Sequence, residues 1–177
     1  MTCILLTGSS RGIGAAAKTA LEARGAQVIG QATWSNSIDT IPADFCEPGA
    51  PQEWWQPALA RAGGQIDVLV NNAGLFDPNP IDRSDIAWLD AWEDTMRINL
   101  TAAAQLSRFA VRHWQERGTA GRIVHVASRA GHRGDSPAHW HYAASKGGML
   151  AMHKTIARQY AREGILSFAI TPGFTDT

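Results

Sequence analysis

Cys3-Ile4-Leu5-Leu6-Thr7-Gly8-Ser9-Ser10-Arg11-Gly12-Ile13-Gly14 is an apolar run that breaks into a glycine-rich turn. Cys3 to Thr7 reads as a buried strand. The periodic stretch after the turn, from about Ile13 to Arg24, reads as a helix that Gly25 stops. Glycines let a backbone turn tightly and approach a ligand closely. The start of the helix offers free N–H groups and a partial positive charge, which suits a pyrophosphate. The competing reading is a plain glycine-rich turn, and the position directly after a first strand counts against it.

Working outward, Gln27 to Thr33 reads as a second strand, and Trp34 to Pro51 as a loop with a very short strand around Ile41 to Phe45. A helix is expected near Gln52 to Ala62 and a strand at Ile66 to Val70, ending in Asn71-Asn72-Ala73-Gly74. Asp85 to Glu116 holds one or two helices, Arg122 to Ala127 a strand, Tyr142 to Arg162 a long helix and Ile165 to Thr171 a last strand. Continuous apolar strands alternating with helices predict an α/β fold, a doubly wound parallel sheet covered on both faces. Ligands of such sheets sit beyond the carboxyl ends of the strands. The unusual residues cluster there: Gly8 to Gly14, Asp44, Asn71 to Gly74, Ser128 and Pro172-Gly173.

The 177 residues fit one domain, residues 1–177. Sixteen basic and sixteen acidic side chains give zero net charge, so no basic excess argues for nucleic acid. No apolar run approaches the ~20 residues that span a bilayer, and the first residues lack a signal sequence; a cytoplasmic protein is expected. Cys3 and Cys46 alone argue against a disulfide framework or a zinc site. Six histidines, with His139 and His141 flanking Trp140 and His132 close by, lack the acids or cysteines that would complete a ligand set. No metal is expected, and these histidines are read as lining a cleft mouth or facing solvent. Trp140 is either a substrate wall or plain packing. The other six tryptophans are expected to cover helix–sheet contacts.

Tyr142-Ala-Ala-Ser-Lys146 sets a phenol and an ammonium four apart on one helix face. A free phenol has a pKa about 3 units above neutral, so its anion costs roughly 4 kcal/mol at pH 7. A lysine cation beside it favours the phenolate. Tyrosine can then act as acid in carbonyl reduction or as base in alcohol oxidation. After the second strand, where an acid usually grips the ribose hydroxyls of NAD, the chain reads Gly30-Gln31-Ala32-Thr33-Trp34-Ser35. Arg11 is either a partner for a 2′-phosphate or a solvated surface arginine, and Thr33 and Ser35 add hydroxyls. NADP(H) is favoured over NAD(H).

The G-x-x-x-G-x-G spacing of the turn, followed by Asn71-Asn72-Ala73-Gly74, resembles the short-chain dehydrogenase/reductase family from end to end. The subtype it most resembles is the 3-oxoacyl-acyl-carrier-protein reductases. The resemblance implies an oxidoreductase acting on a small carbonyl or alcohol substrate, as a homo-oligomer, dimer or tetramer. It implies a catalytic set of Asn99, Ser128, Tyr142 and Lys146: the serine on the substrate oxygen, the asparagine holding a water linked to the lysine. It implies cofactor contacts at Gly8, Ser10, Arg11, Gly12, Ile13 and Gly14, then at Thr33, Asn72, Ala73 and Gly74, and again at Tyr142 and Lys146. Asp44 falls where the family meets the adenine edge, and an exposed loop aspartate is the other reading. Pro172, Gly173, Thr175 and Thr177 fall where it meets the nicotinamide carboxamide.

Two departures from the family pattern stand out. The stretch between the second strand and Asp44 leaves no room for the usual crossing helix. The sequence stops at Thr177, where family members continue with a mobile substrate-covering segment, a helix and a strand, so the domain is expected to be C-terminally incomplete. Its last strand is then an unpaired edge and its stability lower than a longer relative's. Two other functions compete with the enzyme: a non-catalytic nucleotide-binding regulator of the same fold, and a structural subunit pairing through the helices of Asn99 and Tyr142.

Overall fold

Six parallel strands form one sheet in the order β3-β2-β1-β4-β5-β6: β1 Cys3–Leu6, β2 Gln27–Ala32, β3 Thr40–Pro42, β4 Val68–Asn71, β5 Gly121–Val126 and β6 Ile165–Ile170. The computed structural model describes residues 1–35 and 37–175. Helices α1 Gly12–Glu22, α2 Ala50–Arg61, α3 Asp85–Met96, α4 Ala102–Arg117, the one-turn α5 Ala130–Arg133 and α6 Trp140–Tyr160 join the strands. Alternation along the strands divides the side chains between two faces. Ile4, Leu6 and Val28 meet Ala17 and Leu21 of α1 on one face. Leu5, Ile29, Leu69 and Ile123 meet Trp54 of α2, Leu106 and Trp114 of α4 and Ile156 of α6 on the other.

The doubly wound sheet expected from the sequence is therefore present. Strand order reverses between β1 and β4, since β1 pairs with β2 on one side (Leu5 with Ile29) and β4 on the other (Leu5 with Leu69). A crevice opens beyond the carboxyl ends at such a switch point.

Three local features differ from a generic version of the fold. The link from Thr33 to Asp39 holds no helix among its described residues, so β3 pairs with β2 over only Gly30–Thr40 to Ala32–Pro42. Strand β4 begins at Val68 instead of Ile66. The Ile66 carbonyl accepts from the Trp114 indole at 2.8 Å, and the Asp67 carboxylate accepts from the Cys3 N–H at 2.7 Å. Between α3 and α4 the chain widens into a π turn, Arg97–Thr101, which the sequence reading did not anticipate.

Trp54, Trp55 and Trp114 are buried, whereas Trp34 is 73% exposed and does not cover a helix–sheet contact. Two histidines also depart from the expectation of a solvent or cleft-mouth position: His125, on β5, and His141, on α6, are buried.

Candidate active site

The glycine turn is built for close approach. Gly8 and Gly12 have φ of 64° and 52°, in the left-handed region that favours glycine. A Cβ on Gly14 would lie 1.9 Å from the Gly8 carbonyl oxygen, so only glycine lets α1 start this near the turn. No side chain caps the first turn of α1, which leaves its N–H groups free for an anion.

Hydrogen bonds from β2 and β4 fix the turn. The Asn72 side-chain amide donates to the carbonyls of Thr7 and Gly8, both at 2.9 Å. The Thr7 hydroxyl accepts from the N–H groups of Asn72 and Ala73, each at 2.9 Å. Gln31 is a latch that the sequence reading missed. Its Oε1 accepts from Gly8 N–H at 2.8 Å, and its Nε2 donates to the Ala43 carbonyl at 2.7 Å. The only sequence signal for it was a polar residue inside an apolar strand.

One cleft of about 610 Å³ runs over the carboxyl ends of the strands. Of the residues singled out in the sequence, Gly8, Ser10, Arg11, Gly12, Ile13, Gly14, Thr33, Asp44, Asn72, Ala73, Gly74, Ser128, Tyr142, Lys146, Pro172, Gly173 and Thr175 all line it. Thr177 lies outside the described residues. Asp44 turns its carboxylate partly inward on its own loop, accepting from the Cys46 N–H at 3.0 Å. Arg11 is exposed at the cleft edge.

Asn99 does not line the cleft. It is fully buried in the π turn and holds Leu75 by both backbone groups. Its Oδ1 accepts from Leu75 N–H at 2.7 Å and its Nδ2 donates to Leu75 O at 3.0 Å. The Nδ2 also donates to Ser145 Oγ at 3.2 Å, and that hydroxyl donates to the Tyr142 carbonyl at 2.8 Å. The asparagine thus joins the loop after β4 to the helix that carries Tyr142.

Lys146 is buried, and its Nζ donates to the Val126 carbonyl at 2.8 Å. Burial lowers its pKa to about 8. The ammonium lies 5.7 Å from the centre of the Tyr142 ring. For Tyr142, burial pushes the phenol pKa up, the Ser128 hydroxyl pulls it down, and the Asp135 carboxylate pushes it up again. Without a ligand the cost of burying the charge prevails, and the phenol keeps its proton at neutral pH.

Beyond the phenol, Phe76 meets Tyr142 edge-to-face at 4.6 Å and stacks on His139 at 4.2 Å and 14°. Trp140 is outside the cleft and leans on Trp88. Among the described residues no group of three or more His, Cys, Asp or Glu is placed to hold a metal. No helix among them is long and apolar enough to cross a membrane.

The short chain dehydrogenase family model matches residues 2–177. The chain belongs to that family. Among curated relatives, this short chain dehydrogenase is 34% identical to the 3-oxoacyl-[acyl-carrier-protein] reductase FabG of Salmonella typhimurium, over 98% of this chain and 73% of the relative. Identity to the FabG of Escherichia coli K12 is 33%, with the same coverage. Among solved structures, 4-hydroxyisoleucine dehydrogenase complexed with NADH superposes with a TM-score of 0.87 at 25% identity, covering 98% of this chain and 75% of that one. A short-chain dehydrogenase from Streptomyces avermitilis also gives 0.87, at 27% identity, covering 99% and 67%. The chain is thus a short-chain dehydrogenase/reductase enzyme, and membership of the family implies a nicotinamide cofactor.

Proposed function

We propose that this dehydrogenase, folded as one domain in the cytoplasm and working as a homo-oligomer, interconverts a small carbonyl compound and its secondary alcohol with NADP(H). A 3-oxoacyl thioester is the substrate suggested by the FabG relatives. The observation that carries the reading is the meeting of Ser128, Tyr142 and Lys146 in the same cleft as the glycine turn.

The cleft fits a dinucleotide. The Gly8–Gly14 approach leaves a cradle that a Cβ would fill, and the uncapped start of α1 faces it with free donors. Gly8, Ser10, Gly12, Ile13 and Gly14 would hold the pyrophosphate. Asn72, Ala73 and Gly74 would wall the ribose side, and Pro172, Gly173 and Thr175 would meet the nicotinamide. Asp44 sits at the adenine end. The cofactor, when bound, supplies or accepts the hydride.

The protein's own part is proton transfer and aim. Ser128 and Tyr142 present two hydroxyls to one carbonyl oxygen, which orients it and stabilises charge growing there. The phenol, held neutral by burial, is ready to donate a proton in the reductive direction. Lys146 carries positive charge beneath it and is fixed by the Val126 carbonyl. Asn99 keeps the loop after β4 and the Tyr142 helix in register.

Preference for the phosphorylated cofactor rests on charge. No acid stands at Thr33, Trp34 or Ser35, directly after β2, while Thr33 and Arg11 line the cleft there. A guanidinium suits a 2′-phosphate and a missing carboxylate removes repulsion. The NADH-bound 4-hydroxyisoleucine dehydrogenase shares the fold; the preference argued for this chain comes from its own residues.

The deciding experiment measures reduction of a panel of ketones and 3-oxoacyl thioesters with NADPH and NADH, for wild type and Tyr142→Phe. Turnover that the phenylalanine variant loses while still binding NADPH supports the reading. Near-normal turnover in the variant refutes the mechanism. NADPH binding without any turnover by wild type would instead favour a regulatory nucleotide-binding protein.

A further inference from the structure

We propose that Phe76 and Phe174 form an aromatic clamp in the cleft that selects carbonyl substrates bearing a planar, conjugated or aryl group over saturated ones of equal size. The inference rests on the oxidoreductase reading and adds the class of substrate.

Both rings line the cleft that holds Ser128 and Tyr142. Each is exposed, Phe76 by 47% and Phe174 by 84%. Exposed phenylalanines are ordinary when scattered singly; two in one cleft, each backed by a stacking group, are not. Behind Phe76 lies His139, nearly parallel at 4.2 Å, and Ser136 Oγ is 2.6 Å from His139 Nδ1. Under Phe174 lies the Arg129 guanidinium, 4.3 Å from the ring centre. Each ring is therefore backed by a stacking group and keeps exposed area beside it.

The backbone around Phe76 is also held. Asn99 fixes Leu75 on one side. On the other, the Asn79 N–H donates to the Ala138 carbonyl at 2.7 Å, tying this loop to the one that carries His139. Asn79 is itself buried and donates through Nδ2 to the Trp88 carbonyl at 2.9 Å. A ring fixed this way binds without an ordering cost. Its edge-to-face contact with Tyr142 sets it next to the hydroxyl that would receive the carbonyl oxygen. A flat group attached to that carbonyl would lie against the exposed area of the rings. Aromatic pairs gain about 0.5–1.5 kcal/mol beyond area burial, and a saturated ring of the same carbon count forgoes that gain.

The test compares kcat/KM for acetophenone and cyclohexyl methyl ketone in wild type, Phe76→Leu, Phe174→Leu and His139→Ala, with a 3-oxoacyl thioester as a third substrate. The intrinsic reactivity of the two ketones cancels when their ratio is compared between proteins. The aryl-to-cyclohexyl ratio is expected to fall about three- to tenfold in each phenylalanine variant, and by less in His139→Ala, with NADPH binding retained. Phe174 is so exposed that its variant stays folded and decides the matter if Phe76→Leu does not. A ratio unchanged within twofold in the folded variants overturns the clamp. Turnover of the thioester alone also overturns the clamp and leaves the oxidoreductase reading standing. Failure on all three substrates refutes both.

Discussion

Asn99 holds Leu75 by both of its backbone groups, at 2.7 and 3.0 Å, from a fully buried position. A side chain that satisfies one residue's N–H and C=O acts as a short piece of β-ladder. Removing it leaves the N–H and C=O of half-buried Leu75 without this partner, at a cost of about 1–3 kcal/mol for each that water does not reach. Asn99→Ala is expected to lower stability by roughly 2–3 kcal/mol in urea denaturation. Exchange of the Leu75 amide should quicken more than that of the β4 amides. Equal protection of Leu75 in the variant and in wild type would show that the clamp is not what orders this loop.

Asp135 tests the electrostatics of the phenol. Its carboxylate raises the Tyr142 pKa, secondary to burial. Reduction needs the protonated phenol, so activity falls as pH rises through that pKa. Asp135→Asn lowers the pKa and should shift the alkaline limb of the kcat/KM profile for carbonyl reduction toward lower pH. An unmoved limb, or one displaced upward, would mean another group controls it.

His125 links stability to acid. Burial, then His153, then Lys146 lower its pKa to about 4, against an ordinary value of 6.5. Because the native value lies below the unfolded one, the unfolded chain takes up this proton first as pH falls. The native state then loses about 3 kcal/mol from this group between pH 6.5 and 4. His125→Gln should flatten that part of the stability curve. Parallel curves for the two proteins would rule this linkage out.

Two glycines should separate binding from folding. A Cβ on Gly121 would lie 2.1 Å from the Trp114 indole, a rigid and fully buried ring. Gly121→Ala should cost about 1–3 kcal/mol of stability by overpacking while the folded fraction binds NADPH normally. Gly14→Ala puts its methyl against the Gly8 carbonyl and should abolish NADPH binding, read by nucleotide fluorescence. Normal binding by Gly14→Ala would exclude the turn as the cofactor site.

Arg11 reports on cofactor choice. Arg11→Ala should reduce the NADPH-to-NADH ratio of kcat/KM about tenfold, the lower range for a charge-assisted contact at an exposed site. Added salt should shrink the wild-type ratio and leave the variant's nearly unchanged. A variant that keeps the full ratio would place the discrimination elsewhere.

Much of this was legible because it is local. The Gly8–Gly14 turn, the sheet and the Tyr142–Lys146 spacing follow from strand and helix periods and from backbone conformations open to glycine. What stayed hidden depends on distant partners. Gln31 is an unremarkable polar residue until Gly8 and Ala43 are brought to it. Asn71 looked like the start of a loop, yet it ends β4 and is buried, donating to Ser107 at 3.0 Å. His125 and His141 carry no sequence mark of burial, and Phe76 gains meaning only when His139 arrives from another loop.

The π turn at Arg97–Thr101 also makes the aim of Asn99 a matter of residue count. A π turn amounts to one residue inserted into an α-helix, and each helical residue advances about 100° around the axis. Deleting a single residue there would restore an unbroken helix from α3 into α4 and keep every hydrogen-bonding side chain in the sequence. It would leave α3 and α4 in their present relative orientation, since the widened turn absorbs the extra residue locally, and would remove the local widening from which Asn99 reaches Leu75. In this enzyme a one-residue deletion in the turn should therefore do more damage than most substitutions within it.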